Sequence, residues 1–273
     1  MPTTSISRKC LWASTETPFR QWTPEELTQI GVSKPSQFAP GTNWGYSHTN
    51  YVILGRVLEK IARMPLADAI RRFVTEPMGL KQTGALSTPE IPEPVLHAFS
   101  SERREVLGVK PGVPFYEEAT FWNPSWTTVE GAVETTTISD LSLSIEAVAS
   151  GKLLSAKSST AQILPSLIDF GHTQPNCTAC RKNTVAFNYG LDVINVGPWV
   201  TQTLGFAGAS GAVGYCRRAS SRSPWKQRTV RGRMTIRETR DSGRSPCSAR
   251  SPTRSHRIRC RASLAKSDSS TRV

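Results

Sequence analysis

The chain has 273 residues, enough for one large domain or two small ones, and 37% of them are apolar, which suffices for a packed core. The formal net charge of +13 lies at one end of the chain, because residues 216–273 hold 17 Lys and Arg against 3 Asp and Glu, whereas residues 1–215 hold 17 against 18. This division excludes a basic nucleic-acid-binding surface on the body of the protein.

The first 22 residues predict an irregular N-terminal segment without a targeting function. They lack the apolar stretch and the small-residue cleavage site of a secretory signal, so we expect a cytoplasmic location for the chain as printed. No run of about 18 apolar residues occurs anywhere in the sequence, which excludes a membrane-spanning helix.

Residues 23–79 carry helical patterns. Thr23, Pro24 and Glu26 predict a short helix with a capping box and a proline in the first turn. Farther on, apolar residues recur at spacings of three and four, which predicts a helix with a buried apolar stripe formed by Ile53, Leu54, Val57, Leu58 and Ile61. A second amphipathic segment follows Pro65, with four residues predicted to face inward: Leu66, Ala69, Ile70 and Phe73.

The middle of the chain changes character twice. Residues 83–128 show no sustained periodicity and predict a long irregular excursion with short strands, of the kind that often lines a site. Helices are predicted from Ser139 to Gly151 and within residues 155–168. Two neighbouring strands are predicted at residues 187–193 and 199–204, followed by a glycine-rich stretch.

Residues 216–273 differ from everything before them. They contain 15 Arg and 12 Ser but only five Leu, Ile, Val or Phe, too few to offset the entropy lost on ordering, so we predict a disordered tail. One interpretation is a nucleic-acid-binding tail; the other is the product of a reading-frame shift. We favour the frame shift because the break falls inside a strand–turn–strand pattern and not at a linker.

Several stretches of residues 20–215 together resemble one protein family. Residues 38–55 (FAPGTNWGYSHTNYVILG) resemble its second motif region, residues 76–84 (EPMGLKQTG) its "pLGM-x-x-T" turn, and residues 131–141 (GAVETTTISDL) its "G-x-x-S-T-x-x-D-L" helix start. The family is that of serine β-lactamase-related proteins, which includes class C β-lactamases, D-alanyl-D-alanine carboxypeptidases and related esterases. The ordered series is more specific than any single motif.

The resemblance implies an α+β fold, with an antiparallel sheet flanked by helices and a largely helical insert. It also implies acyl transfer through a serine to a small-molecule or peptide substrate, without a cofactor or a metal. Tyr46 matches the general-base tyrosine of the family's Y-x-N motif, and His48 stands where Asn is expected. Phe206, Ala207, Gly208 and Ala209 match the substrate-binding third-motif strand, in which the family has a cation where this chain has Phe206.

The family's nucleophile motif, S-x-x-K, is missing from the body of the chain. No lysine in residues 1–215 has a serine three residues before it. The two matches, Ser223 to Lys226 and Ser263 to Lys266, fall in the Ser-rich tail and follow Tyr46 instead of preceding it. We therefore interpret residues 23–215 as a partial domain, truncated at both ends, with little or no hydrolase activity.

Cys177 and Cys180 form a C-x-x-C pair with His172 nearby. A zinc site would need a second pair of ligands at suitable spacing, which the sequence lacks. A loop disulfide, as in an exported relative, or two inert thiols account better for the pair.

Two other functions remain open. The first is a non-catalytic binding protein that takes a cell-wall peptide at the Tyr46 cleft, or nucleic acid on the basic tail. The second is an unstable pseudogene product, because the loss of strands from a central sheet exposes both edges and core.

Overall fold

The computed structural model of the chain describes residues 16–86, 88–128, 131–163 and 165–217. Most of the predicted N-terminal segment and the Arg/Ser-rich tail from residue 218 onward lie outside the described residues. The described part combines six α-helices, two small two-stranded sheets and one four-stranded antiparallel sheet. This architecture confirms the predicted α+β class with helices and antiparallel sheet.

The first two helices precede and follow the Tyr46 segment. Helix α1 spans Pro24–Val32, and the capping box between Thr23 and Glu26 forms as predicted. Helix α2 spans His48–Ala62. The next helical stretch is continuous: α3 (Leu66–Ile70) passes through a π-helical turn (Arg71–Thr75) into α4 (Glu76–Met78).

Helix α2 presents its apolar stripe to the solvent, contrary to the sequence prediction. Its buried residues are Val52 and Gly55. The five residues predicted to be buried are 42–73% exposed: Ile53, Leu54, Val57, Leu58 and Ile61. The prediction was wrong because periodicity identifies residues that share a face, whereas burial requires another element to cover that face. Phe73, also predicted to face inward, is 54% exposed, whereas Leu66 and Ala69 are buried as expected.

The irregular excursion contains short paired strands, as predicted. Strand β1 (Gly84–Ala85) pairs with β4 (Glu134–Thr135), and β2 (Phe99–Ser100) pairs with β3 (Glu117–Glu118), both antiparallel. A 3-10 helix at Pro124–Trp126 follows β3, with the side chain of Asn123 accepting a hydrogen bond at its start. Trp122 and Ala119 are buried in this part of the excursion.

Asp140 connects two of the motif-bearing segments. Helix α5 (Ile138–Ser150) begins after the capping residue Thr137. The buried Asp140 carboxylate in its first turn accepts hydrogen bonds from the backbone N–H of Gln82, at 2.7 Å, and from Oγ1 of Thr83, at 3.0 Å. The pLGM-type turn and the start of α5 are therefore held together by one carboxylate.

The last helix and the sheet complete the described chain. Helix α6 (Ala156–Ile163) is followed by a 3-10 turn (Pro165–Leu167). The sheet has the order β5-β6-β7-β8, all antiparallel, with β5 Phe187–Tyr189, β6 Ile194–Val196, β7 Trp199–Phe206 and β8 Ala209–Cys216. The segment predicted as one strand at 187–193 is thus β5 followed by a turn.

A small apolar core joins α5 to this sheet. It consists of Ile145, Ala149, Val193, Val200 and Tyr215. Cys216 and Arg217, which the sequence analysis assigned to the tail, adjoin this core: Cys216 ends β8 and is fully buried, and Arg217 donates from Nη2 to Oδ1 of Asn195 at 3.2 Å. None of the helices in the described part of the chain is long and apolar enough to cross a bilayer.

Candidate active site

Tyr46 lies just before α2, in a group of aromatic side chains. Its ring centroid is 5.4 Å from that of His48, 5.5 Å from that of Tyr51 and 5.9 Å from that of Tyr189. The side chain is 46% exposed. The candidate base is therefore held by neighbouring rings, with nearly half of its surface exposed.

His48 is oriented by one hydrogen bond. It is the first residue of α2, and its Nδ1 lies 2.8 Å from the carbonyl oxygen of Thr127. Because a carbonyl only accepts, Nδ1 carries the proton in this contact, and in the neutral ring Nε2 keeps the lone pair. Nε2 is thus the ring atom of neutral His48 that can accept a hydrogen bond or a proton.

A column of stacked rings joins the second motif region to the third. The imidazole of His48 stacks on the indole of Trp126, with centroids 6.0 Å apart. The same indole stacks with the ring of Phe206, also at 6.0 Å. The column therefore connects the start of α2, the excursion and the end of β7. Sequence analysis assigned no role to Trp126; the only signal was its place in an excursion expected to line a site.

The four residues of the predicted third-motif strand occupy a hairpin turn. Phe206 ends β7 and Ala209 begins β8, and the two are paired, so Ala207 and Gly208 form the connection. Ala207 is buried against the excursion, in a cluster with Ala119 and Trp122.

Gly208 brings this turn into close contact with β2. Its φ is +80°, and a Cβ at this position would lie 2.3 Å from the carbonyl oxygen of Phe99. Only glycine fits both the backbone conformation and the space. The hairpin turn is thereby fixed against the β2 strand, beside the aromatic column.

Two further tyrosines form a hydrogen-bonded relay next to Tyr46. Tyr189 donates from its hydroxyl to Oδ1 of Asp192 at 2.8 Å, and the hydroxyls of Tyr51 and Tyr189 lie 2.7 Å apart, which leaves Tyr51 as the donor. Burial is the main cause that raises the pKa of Tyr51 to about 12. Burial, followed by the hydrogen bond to Tyr51, also raises the pKa of Tyr189 above its usual range. Both phenols stay protonated near neutral pH and serve as donors.

The loop at residues 170–184 supports the Tyr46 segment from behind. Oδ1 of the buried Asn43 accepts the backbone N–H of His172 at 3.1 Å, and its Nδ2 donates to the carbonyl oxygen of the same residue at 3.2 Å. Cys177 and Cys180 form a disulfide. Their sulfurs would lie 3.5 and 3.6 Å from a Cβ built on Gly45, so they pack directly behind the residue preceding Tyr46.

The sequence matches a family model described as Beta-lactamase over residues 9–223. Among curated proteins, it is 32% identical over 89 residues to Esterase EstB from Burkholderia gladioli, which covers 33% of this chain and 22% of that one. It is 31% identical over 86 residues to Penicillin-binding protein 4* from Bacillus subtilis, covering 32% of this chain and 19% of the other.

Solved structures share the fold. A D-stereospecific amidohydrolase from a Streptomyces species matches with a TM-score of 0.61 at 22% identity, over 78% of this chain and 60% of that one. A penicillin-binding protein from Bacillus halodurans matches with a TM-score of 0.56 at 14% identity, again over 78% and 60%. The chain thus spans about a fifth of the curated relatives and 60% of each of these two structures.

Proposed function

Since the chain belongs to the Beta-lactamase family, whose model matches residues 9–223, we propose that it forms the tyrosine-bearing part of a serine-hydrolase site. On its own it has little or no acyl-enzyme activity. The substrate class is that of β-lactams, D-alanyl peptides or small esters, whose common feature is a carbonyl open to attack. The observation that carries the proposal is the ring column from His48 through Trp126 to Phe206, which joins two motif regions beside Tyr46.

The chemistry of such a site requires a hydroxyl, a base and an oxyanion stabiliser. The serine of an S-x-x-K motif attacks the carbonyl carbon, and the base accepts the hydroxyl proton. We assign the base side to Tyr46, whose ring lies next to that of His48. In this proposal the backbone N–H groups of the third-motif stretch at the end of β7 stabilise the developing oxyanion. Residues 1–215 contain no S-x-x-K and therefore no serine of this motif to form the acyl-enzyme. Only the weak catalysis that comes from substrate binding and oxyanion stabilisation remains.

Covalent labelling tests this proposal. The purified 273-residue chain is incubated with a fluorescent penicillin, with a competent class C β-lactamase as the positive control, and labelled peptides are mapped by mass spectrometry. We expect a labelled control and an unlabelled chain. A label on any serine of this chain contradicts the proposal, and the Tyr46→Phe variant then shows whether that labelling uses the site described above.

A second candidate function is non-catalytic binding of a cell-wall peptide. The half-exposed Tyr46 and the adjoining ring column favour it, because aromatic surfaces bind ligands without any need for a nucleophile. Titration with N-acetyl-D-alanyl-D-alanine should then change the tryptophan fluorescence of the native chain, and this change should be weaker in Trp126→Phe. No change at millimolar peptide rejects this function.

The remaining alternatives from the sequence have separate tests. A mobility shift of DNA or RNA that weakens between low and high salt would support nucleic-acid binding, and no shift at low salt rejects it. A cooperative thermal melt rejects an unstable product without a fixed fold.

A further inference from the structure

We propose that the disulfide between Cys177 and Cys180 is a reversible redox switch that controls the order of the Tyr46 segment, residues 43–46. With the bond closed, the loop at residues 170–184 holds this segment in place. When a dithiol reduces the bond, the loop releases the segment. The proposal concerns the conformation of the segment and does not depend on hydrolase activity.

The first observation is that the loop contacts three consecutive residues of the segment. The side-chain amide of Asn43 donates to and accepts from the backbone of His172. A Cβ built on Gly171 would lie 2.5 Å from Cδ1 of Trp44, so the backbone of the loop lies against the Trp44 ring. The two sulfurs of the disulfide pack against Gly45. The loop thus contacts each residue that leads up to Tyr46.

The second observation is that these contacts extend to the Tyr46 ring itself. Trp44 stacks on Tyr189, with ring centroids 5.7 Å apart and an angle of 16° between the planes. Tyr189 in turn lies with its centroid 5.9 Å from that of Tyr46. A displacement of Trp44 therefore removes a support from a ring that packs against Tyr46.

The third observation is that the backbone around the disulfide is held loosely. The N–H of Cys177 donates to the carbonyl oxygen of Gln174, and the N–H of Cys180 donates to that of Cys177, each at 3.3 Å. These distances lie at the long end for N–H···O hydrogen bonds. The side chain of Gln174 also donates to the carbonyl oxygen of Gln37. The covalent bond thus holds the two sulfurs behind Gly45 more firmly than the backbone does.

A reductant can reach the sulfurs through a local opening of the loop. Both cysteines are 4% exposed, so the closed loop shields them. The residues around them are largely exposed, and a segment of this kind opens without unfolding of the whole domain. The exposed residues are His172, Thr173, Pro175, Asn176 and Thr178. Reduction therefore leaves the core between α5 and the sheet intact.

Reduction proceeds by thiol–disulfide exchange with a dithiol. One thiolate of the reagent attacks a sulfur of the pair, which forms a mixed disulfide and releases the other cysteine as a thiolate. The second thiolate of the reagent then attacks its own sulfur in the mixed disulfide and releases the second cysteine. The reagent becomes a disulfide, two electrons pass to the protein, and Cys177 and Cys180 take up the two protons that the reagent lost. Two unbonded sulfurs need more space than a bonded pair, so reduction moves at least one of them from its position behind Gly45.

Amide hydrogen exchange of the full chain, followed by NMR, tests the switch. Oδ1 of Asn43 accepts the backbone N–H groups of Trp44, at 3.0 Å, and of His172, at 3.1 Å, so these two amides report the contact between segment and loop. We expect both to exchange at least tenfold faster in dithiothreitol and to slow again when oxidised dithiothreitol is added. The amide of Gln82, which donates to Asp140 outside the loop and the segment, is the internal control and should not change.

A double variant assigns the response to this pair, because the chain has six cysteines. Cys177→Ser with Cys180→Ser should melt cooperatively and show fast exchange at Trp44 and His172 with and without the reductant. In this variant and in the reduced wild type, the ring signals of Tyr46 should shift toward those of an exposed tyrosine. If the variant does not melt cooperatively, the wild-type exchange before and after reduction decides alone.

Several results would overturn the proposal. They are alkylation of both cysteines without prior reduction, reduction that occurs only in urea that unfolds the chain, and equal exchange of the reporter amides in the oxidised and reduced protein. A response to dithiothreitol that persists in the double variant also overturns it, because other cysteines then cause the change. None of these results bears on the proposed function, which labelling of a serine contradicts.

Discussion

The imidazole of His48 and the indole of Trp126 stack with their planes 12° apart, although 78 residues separate them in the chain. This contact brings the excursion to the first residue of α2, and the hydrogen bond from His48 to the carbonyl of Thr127 fixes the same junction. The orientation of His48 therefore depends on a tryptophan that belongs to none of the recognised motifs.

Trp126→Ala should destabilise the protein and release His48. Truncation of a partly buried tryptophan is expected to cost about 2 kcal/mol, below the range for fully buried aromatics. Urea unfolding measures this loss, and the His48 ring signals in NMR should shift toward those of an exposed histidine. Trp126→Phe keeps a stacking ring and should retain most of the stability. Phe19→Ala, at a side chain 67% exposed, is the control and should change stability by less than about 0.5 kcal/mol.

Gly208→Ala should be among the most destabilising alanine substitutions in the sheet. The new Cβ would adopt a left-handed backbone conformation and collide with Phe99, which together should cost about 2 to 5 kcal/mol. Gly41 has a φ of +76° and nothing within 4 Å of a Cβ built on it, so Gly41→Ala measures the cost of the left-handed backbone without a collision. This variant should lose about 1 to 2 kcal/mol of stability. Gly205→Ala meets nothing within 4 Å and should be neutral. Equal losses at Gly208 and Gly41 would contradict the contact with β2.

Asp140→Ala should loosen the turn before β1. It leaves the Gln82 N–H without its acceptor, whereas the Thr83 hydroxyl keeps the neighbouring hydroxyl of Thr136, and we expect a loss of about 2 kcal/mol. Asp68 pairs with Arg71 on the surface with a side chain 50% exposed, so Asp68→Ala should cost less than about 1 kcal/mol. Thermal melts of the two variants make the comparison, and a loss at Asp140 no larger than that at Asp68 would reject the connection.

His97 on the excursion should titrate above the ordinary imidazole value. Its hydrogen bond to Glu118 raises the pKa of His97, with smaller electrostatic contributions from Glu118 and Glu93, and lowers the pKa of Glu118. The pair stabilises the fold fully at pH values below the pKa of histidine in the unfolded chain. This contribution is lost as the pH rises through the raised pKa of His97 in the folded protein. NMR titration of His97 should show the elevated pKa, and Glu118→Gln should reduce it. An unchanged titration in that variant would contradict the pairing.

The local features of the fold were predictable because their causes lie within a few residues. Thr23 and Glu26 make their capping box, and α5 ends at Gly151 in the left-handed conformation that favours glycine. Burial was not predictable in the same way. The apolar residues from Ile53 to Ile61 have the spacing of a buried stripe. Whether another element packs on that face, however, depends on residues that are far away in the sequence. The role of Trp126 was missed for the same reason, since a contact with His48 across the fold leaves no local pattern.

Tyr51 should ionise only at strongly alkaline pH, and its titration should lower the stability of the fold. Its pKa of about 12 exceeds the value of about 10 for an unfolded tyrosine, so the native state holds the proton more tightly. The free energy of unfolding therefore falls as pH rises from about 10 to about 12, because only the unfolded chain releases the proton there. Thermal melts across this interval should show a steep decline in Tm, and the decline should be shallower in Tyr51→Phe. The exposed Tyr116→Phe is the control and should keep the wild-type slope. Equal slopes in all three proteins would show that Tyr51 titrates as an unburied phenol and that the relay to Tyr189 does not hold its proton.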